Sequence, residues 1–227
     1  MTRYAIYAMP SADSPLWALG SSILGYDAVT GLDADFPEDP LFEDPLSLAW
    51  SAEPRRYGFH ATLKAPFELA EGRTDLQLRA ELTDFAQGHH PVAFDLKLAV
   101  VGHFLALVPS TTSAGLQKLA DDCVRHFDPF RAPMTPEDRE RRHPDALIER
   151  QVENLDTWGY PYVFDDFLFH MTLTSDLDAA DRHRLEPVLQ RLLATVPLRL
   201  TIDALSLVVQ HDPEGRFTVA DRFAFAT

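Results

Sequence analysis

Phe59-His60-Ala61-Thr62-Leu63 and Phe169-His170-Met171-Thr172-Leu173 are two copies of one pattern, Phe-His-x-Thr-Leu. Their alternation is that of a strand, in which successive side chains point to opposite faces. On that reading Tyr57, Phe59, Ala61 and Leu63 face a core, while Gly58, His60, Thr62 and Lys64 face the other way. In the second copy Phe167, Phe169, Met171 and Leu173 form the apolar face, opposite Leu168, His170, Thr172 and Thr174. Each copy therefore presents an imidazole and a hydroxyl side by side, two strand positions or roughly 6–7 Å apart along the backbone.

Working outward, the order of segments repeats. Tyr4–Met9 reads as a strand closed by Pro10-Ser11 and followed by a helix over about 14–24. His103–Val108 reads as a strand closed by Pro109-Ser110 and followed by a second helix. On that helix Leu116, Leu119, Ala120, Cys123, Val124 and Phe127 share one 3.6-residue stripe, which makes Cys123 a buried small hydrophobe. Each half then runs through an irregular segment, the His-x-Thr strand, a helix (76–88 and about 178–196) and an apolar strand opened by proline (91–98, and 197–202 running on to Val209). The Pro-Ser corners lie 109 − 10 = 99 positions apart and the histidines 170 − 60 = 110. Such similar offsets indicate a duplicated unit: one bilobal domain over 1–227, with lobes at about 3–100 and 103–227 and insertions at about 27–54 and 128–160. A last strand, 216–225, follows the turn-like Asp212-Pro-Glu-Gly215 and completes a sheet.

The insertions differ in character. Asp27 to Pro54 carries eight acids (Asp27, Asp33, Asp35, Glu38, Asp39, Glu43, Asp44 and Glu53) and no base, and reads first as a solvated acidic loop. Leu41, Phe42, Leu46 and Trp50 offer the means to pack it onto the body. Asp128 to Tyr160 holds Arg131, Arg139, Arg141, Arg142 and Arg150, with a helix start at Thr135-Pro-Glu-Asp138.

The bulk properties narrow the partners. The formal net charge is −15, whereas a protein that grips long nucleic acid needs a basic surface. A small anionic substrate fits better. No apolar run approaches the roughly 20 residues that span a bilayer, and the start of the chain lacks the regions of a signal peptide. One cysteine excludes an internal disulfide and any multi-cysteine metal site. A cytosolic protein is expected, with no membrane association, cofactor or metal; oligomeric state is not legible.

Paired histidines suit one kind of chemistry. Opening a cyclic phosphodiester with water needs one group to take a proton from the nucleophile and another to give one to the leaving oxygen. An imidazole pKa near 6.5 allows either role at neutral pH. Thr62, Thr172 and nearby cations can meet the charge on the phosphoryl oxygens. No metal is required, and His-Glu-x-x-His and clustered cysteines are absent. Around this core, Lys64 follows Thr62 on the histidine face, and Tyr57 reaches the site only if Gly58 makes a bulge. Arg55 or Arg56 can meet an anion bidentately. Arg131 and Tyr160 are further candidates, while the other arginines of that insertion offset the acidic surface. The remaining seven histidines show no ligand spacing.

At these residues the chain resembles the two-histidine phosphoesterase superfamily. Arg56-Tyr-Gly-Phe-His-Ala-Thr-Leu-Lys64, Phe130-Arg-Ala-Pro133, Trp158-Gly-Tyr-Pro-Tyr162 and His170-Met-Thr-Leu-Thr174 resemble, more narrowly, a branch of unknown function encoded beside bacterial phosphonate-degradation genes. The resemblance implies a bilobal α+β fold, with two antiparallel sheets flanking a central cleft and helices outside. It also implies His60 and His170 as the acid–base pair, with Thr62 and Thr172 on the phosphate. A cyclic ribose phosphate or nucleoside 2′,3′-cyclic phosphate is the implied substrate class. Processing of RNA 2′,3′-cyclic ends, 2′-5′ ligase-like activity and a non-catalytic phosphate-ligand protein are the alternatives.

Overall fold

The fold follows from where the apolar alternation finds partners. A computed structural model describes residues 1–43 and 47–226; Asp44 and Leu46 of the acidic insertion lie outside them. The elements are β1 (Arg3–Ala8), α1 (Pro15–Leu24), α2 (Pro40–Glu43), α3 (Ser47–Arg55), β2 (Ala61–Phe67), α4 (Asp75–Gln87), β3 (Val92–Val101), β4 (Phe104–Pro109) and α5 (Ala114–Phe127). They continue with α6 (Pro136–Glu140), α7 (Glu149–Trp158), β5 (Met171–Thr172), α8 (Ala179–Leu193), β6 (Arg199–Ile202), β7 (Ala204–Gln210) and β8 (Thr218–Ala224).

Two antiparallel four-stranded sheets result, in the orders β2-β1-β7-β8 and β5-β4-β3-β6. This is the expected α+β class. Both motif strands are edge strands, each beside the first strand of its own half. The registers match: Tyr7 pairs with Thr62 and Ala8 with Ala61, as Ala106 pairs with Thr172 and Leu107 with Met171. Tyr7 and Ala106 are 106 − 7 = 99 positions apart, the offset of the Pro-Ser corners.

Two expectations need correction. Sheet membership does not follow the lobe boundaries, because β3 of the first half joins the second sheet and β7 and β8 of the second half join the first. The apolar run from 197 to Val209 is also not one strand. It divides at Asp203 into β6, paired with β3, and β7, paired with β1. Residues 199–203 alternate exposed and buried whereas β7 is buried throughout, so the change of sheet coincides with a change from a one-sided to a fully buried strand at Asp203.

Local signals explain the helices. Ser14 caps α1 by accepting from the Trp17 amide, with Pro15 in the first turn. Thr74 and Gln77 form a capping box on α4. All six stripe residues of α5 are buried. At Gly20 of α1 a Cβ would stand 2.2 Å from the Phe59 ring, so only glycine lets the helix close on the residue preceding His60.

The acidic insertion is not a solvated loop. Phe42 and Trp50 are buried on α2 and α3 and join the main core. Asp39 pairs with Arg191 and Asp33 with Arg216. The apolar residues anchor the segment; of its described acids only Asp39 is buried, while Asp33 meets its guanidinium at the surface.

Candidate active site

His60 sits immediately before β2 and His170 immediately before β5, so each imidazole projects from the point where a strand begins. The apolar neighbours behave as expected, with Phe59, Ala61, Leu63, Phe169, Met171 and Leu173 all at most 3% exposed. Before the strands, however, the alternation gives way to turns. Gly58 has φ +78°, a conformation natural to glycine alone.

Both imidazoles are held alike. The Nδ1–H of His60 donates to the Gly58 carbonyl at 2.8 Å, and that of His170 to the Leu168 carbonyl at 2.8 Å. Spending Nδ1–H on a carbonyl two residues back leaves Nε2 as the reactive nitrogen of each neutral ring. The Thr62 hydroxyl lies 3.1 Å from Nε2 of His60. Burial pushes the His60 pKa down to about 4; the Gly58 bond opposes the shift and the nearby His170 adds to it. Burial also lowers the pKa of His170, against the bond to Leu168. The charge of His170 is felt at His60, although 110 residues separate them.

The surroundings of the two rings differ. Tyr7 stacks on His60 with centroids 3.7 Å apart and planes 24° apart. Ala106 occupies the equivalent register beside Thr172, and the ring nearest His170 is Phe104 at 5.6 Å.

The other candidates divide into those near the histidines and those committed elsewhere. Tyr57 does reach His60, at 6.2 Å between rings, through the left-handed turn at Gly58 and not through a bulge; it stacks on Phe217 at 5.4 Å. Lys64 is a correction. The register slips between Ile6 and Tyr7, so that Thr62 pairs with Tyr7 but Lys64 with Ile6, and the alternation expected of residues 58–64 ends at Thr62. The Lys64 ammonium is 3% exposed and engages Asp128 at 2.7 Å and the Val124 carbonyl at 3.2 Å. Its charge is answered within the fold by Asp128.

Arg131 shares that carboxylate through Nε at 2.9 Å and donates to the Thr157 carbonyl at 2.9 Å. With Thr62, Lys64 and Tyr160 it lines a small cavity between β2, α5 and the second insertion. The Tyr160 ring lies under the Arg142 guanidinium at 5.2 Å. Arg56 donates to the Pro213 carbonyl, and its buried Nε has no partner among the described residues. Arg55 turns away, to Leu24 and Ser51. Arg139, Arg141 and Arg150 pair with Asp156, Asp138 and Asp166, as expected of charges that offset an acidic surface.

Sequence reasoning did not single out Tyr7 and Arg3, and it read Arg142 among the charges that offset the acidic surface, whereas Arg142 lies over Tyr160 with no carboxylate partner among the described residues. Nothing local marks them, but the strand parity of Arg3 and Tyr7 in β1, once β1 is set beside β2, would have placed both on the face of Thr62.

Fold and site together define an α+β protein with duplicated histidine–threonine strand starts. The family described as "Protein of unknown function (DUF1045)" matches residues 62–218, and the chain belongs to it. Two curated relatives, from Janthinobacterium sp. (strain Marseille) and Laribacter hongkongensis (strain HLHK9), are named Ribose 1,5-bisphosphate phosphokinase PhnN. They are each 36% identical, over 234 and 179 residues, covering 100% and 79% of this chain. Those alignments take in 51% and 41% of the relatives, so the chain spans about half the length of the curated relatives it matches. Among solved structures, E. coli LigT complexed with 3′-AMP has a TM-score of 0.48 at 14% identity, covering 100% of this chain and 99% of that one. Its apo form gives 0.43 at 11%, with the same coverage. At this level the likeness says nothing about chemistry. No helix among the described residues is long and apolar enough to cross a membrane.

Proposed function

We propose that this protein hydrolyses a small cyclic phosphodiester to a phosphomonoester without a metal, using His60 and His170 as the acid–base pair. The observation that carries the reading is the shared Nδ1–H to carbonyl bond, 2.8 Å in both halves, which leaves Nε2 of each imidazole available to exchange a proton. One imidazole, neutral with a bare Nε2, takes the proton of the attacking water, while the other enters the reaction as an imidazolium and gives its Nε2 proton to the leaving oxygen as the ring opens. His60 is the better base, because its depressed pKa keeps it neutral at all but acid pH. His170, without a stacked aromatic at its Tyr7-equivalent position, is the better acid. Thr62 and Thr172 donate to the phosphoryl oxygens.

The family resemblance supports a cyclic ribose phosphate or nucleoside 2′,3′-cyclic phosphate and a role in phosphonate breakdown. The charge of −15 favours such small substrates over RNA ends. The kinase activity in the relatives' name is not proposed for this chain, whose sequence contains no glycine followed by lysine and hence no P-loop.

The test is turnover of a panel of cyclic phosphates in excess chelator. Wild-type protein should open at least one of them, and His60→Ala and His170→Ala should each lower kcat by about 10²–10⁴-fold. Strict dependence on an added divalent cation, or full activity in either variant, would overturn the mechanism.

A further inference from the structure

The polar groups beside His60 exceed what the two His-Thr pairs need. Tyr7 is fully buried, yet its hydroxyl has no hydrogen-bond partner among the described residues. A buried hydroxyl without a partner carries a desolvation cost that a ligand can relieve. Arg3 lies four residues back on β1, on the same face by strand parity. Its Nε and one terminal nitrogen meet the buried amide oxygen of Gln210, the first at 2.7 Å, and Gln210 is anchored in turn on the Gly215 carbonyl at 2.6 Å. That bracket orients the guanidinium and leaves the other terminal nitrogen without a partner among the described residues.

Phe217 ties the group together: the Arg3 guanidinium lies 5.5 Å from its ring, Tyr57 stacks at 5.4 Å and Tyr7 lies at 6.4 Å. From the second insertion Arg142 reaches over Tyr160. Tyr160 lines one cavity with Thr62, the residue paired with Tyr7, so Arg142 approaches this region from a distant part of the chain.

The charge pattern here is unusual for this protein. The chain has 35 acids, and the arginines of the second insertion other than Arg142 are answered by aspartates. Arg3 and Arg142 have no carboxylate partner among the described residues. The Arg3 pKa is lowered, first by burial and then partly by Arg56 and Arg141, with only tyrosines acting the other way. Cations without a carboxylate partner, beside a hydroxyl donor that lacks an acceptor, bind an anion well.

We propose that Arg3, Tyr7 and Arg142 form a second anion-binding position beside the histidines, which takes a phosphate of the substrate other than the one that reacts. Resting on the hydrolase reading, this narrows the substrate class to small cyclic phosphodiesters that also carry a phosphomonoester. The remote phosphate contributes binding energy that fixes the cyclic phosphate between the two Nε2 atoms.

The experiment is calorimetric and needs no turnover. Adenosine 2′-monophosphate, the kind of product left by opening a 2′,3′-cyclic phosphate, is compared with adenosine 2′,5′-bisphosphate. The bisphosphate should bind at least about tenfold more tightly to wild-type protein. That advantage should vanish in Arg3→Met and Arg142→Met, shrink in Tyr7→Phe, and persist in Arg73→Met. Tyr7→Phe deletes only a hydroxyl without a partner, so its melting temperature should match or exceed that of wild type even as the advantage falls. Equal affinity for the two nucleotides, or an advantage that survives in all three variants, overturns the second position and leaves the hydrolase reading intact. Binding of neither nucleotide overturns it as well, and the turnover panel then decides the hydrolase reading separately.

Discussion

Tyr7 lies against His60 with ring centroids 3.7 Å apart, and its counterpart by register beside the other histidine strand is Ala106. The duplication therefore delivers two similar histidines into dissimilar settings. One imidazole is packed against an aromatic ring and bonded to its own threonine; the other is more open. Differing surroundings let one residue type serve as base and acid in a single reaction.

The first consequence is a pH dependence of stability. The folded-state pKa of His60, about 4, lies below the ordinary imidazole value near 6.5. Between those values the unfolded chain binds a proton that the folded chain does not. The contribution is thus complete above pH 6.5 and is lost as the pH falls toward 4, amounting to up to about 3 kcal/mol. Urea unfolding at pH 7 and pH 4.5 should show a smaller drop in His60→Asn than in wild type. Equal drops would show that His60 titrates normally.

Gly58 joins backbone geometry to chemistry. Its φ of +78° and the Ala28 Cβ 2.6 Å from where a side chain would begin both oppose alanine. Gly58→Ala should cost about 1–3 kcal/mol. It should also lower kcat by about tenfold or more, because the Gly58 carbonyl holds Nδ1 of His60. A thermal melt and a kcat measured well below the melting temperature separate the two effects.

Lys64 tests the distinction between a support and a ligand. Removing its ammonium leaves Asp128 with Arg131 alone, so Lys64→Met should destabilise the protein by about 3 kcal/mol. Within the folded fraction, KM for a cyclic phosphate should stay within about threefold of wild type. A rise in KM with unchanged stability would return Lys64 to the phosphate.

Cys123 is fully buried, and burial raises its thiol pKa to about 12. Native protein should be inert to a thiol-reactive disulfide reagent at pH 8, whereas protein in denaturant should release one equivalent. Rapid labelling of the native state would contradict the packing of α5.

The sequence by itself determined the features governed by short-range periodicity. The six-residue stripe of α5, the capped starts of α1 and α4, and the apolar parity of Phe59-Ala61-Leu63 and Phe169-Met171-Leu173 each depend on neighbours within a few positions. The paired His-x-Thr strings also stood out in one dimension, because a duplicated unit repeats its words in order. Tertiary structure decided what depends on pairing across the chain. The exchange of β3 and β7 between sheets and the slip in register that turns Lys64 toward Asp128 have no local signal. They are settled by which strand edge offers unpaired backbone groups and which cavity needs filling. Tyr7 and Ser206 are 199 residues apart yet directly paired. The same long-range closure sets Tyr7 against His60, with Arg3 on the same strand face, where side-chain type alone would have left them as a strand aromatic and a surface charge.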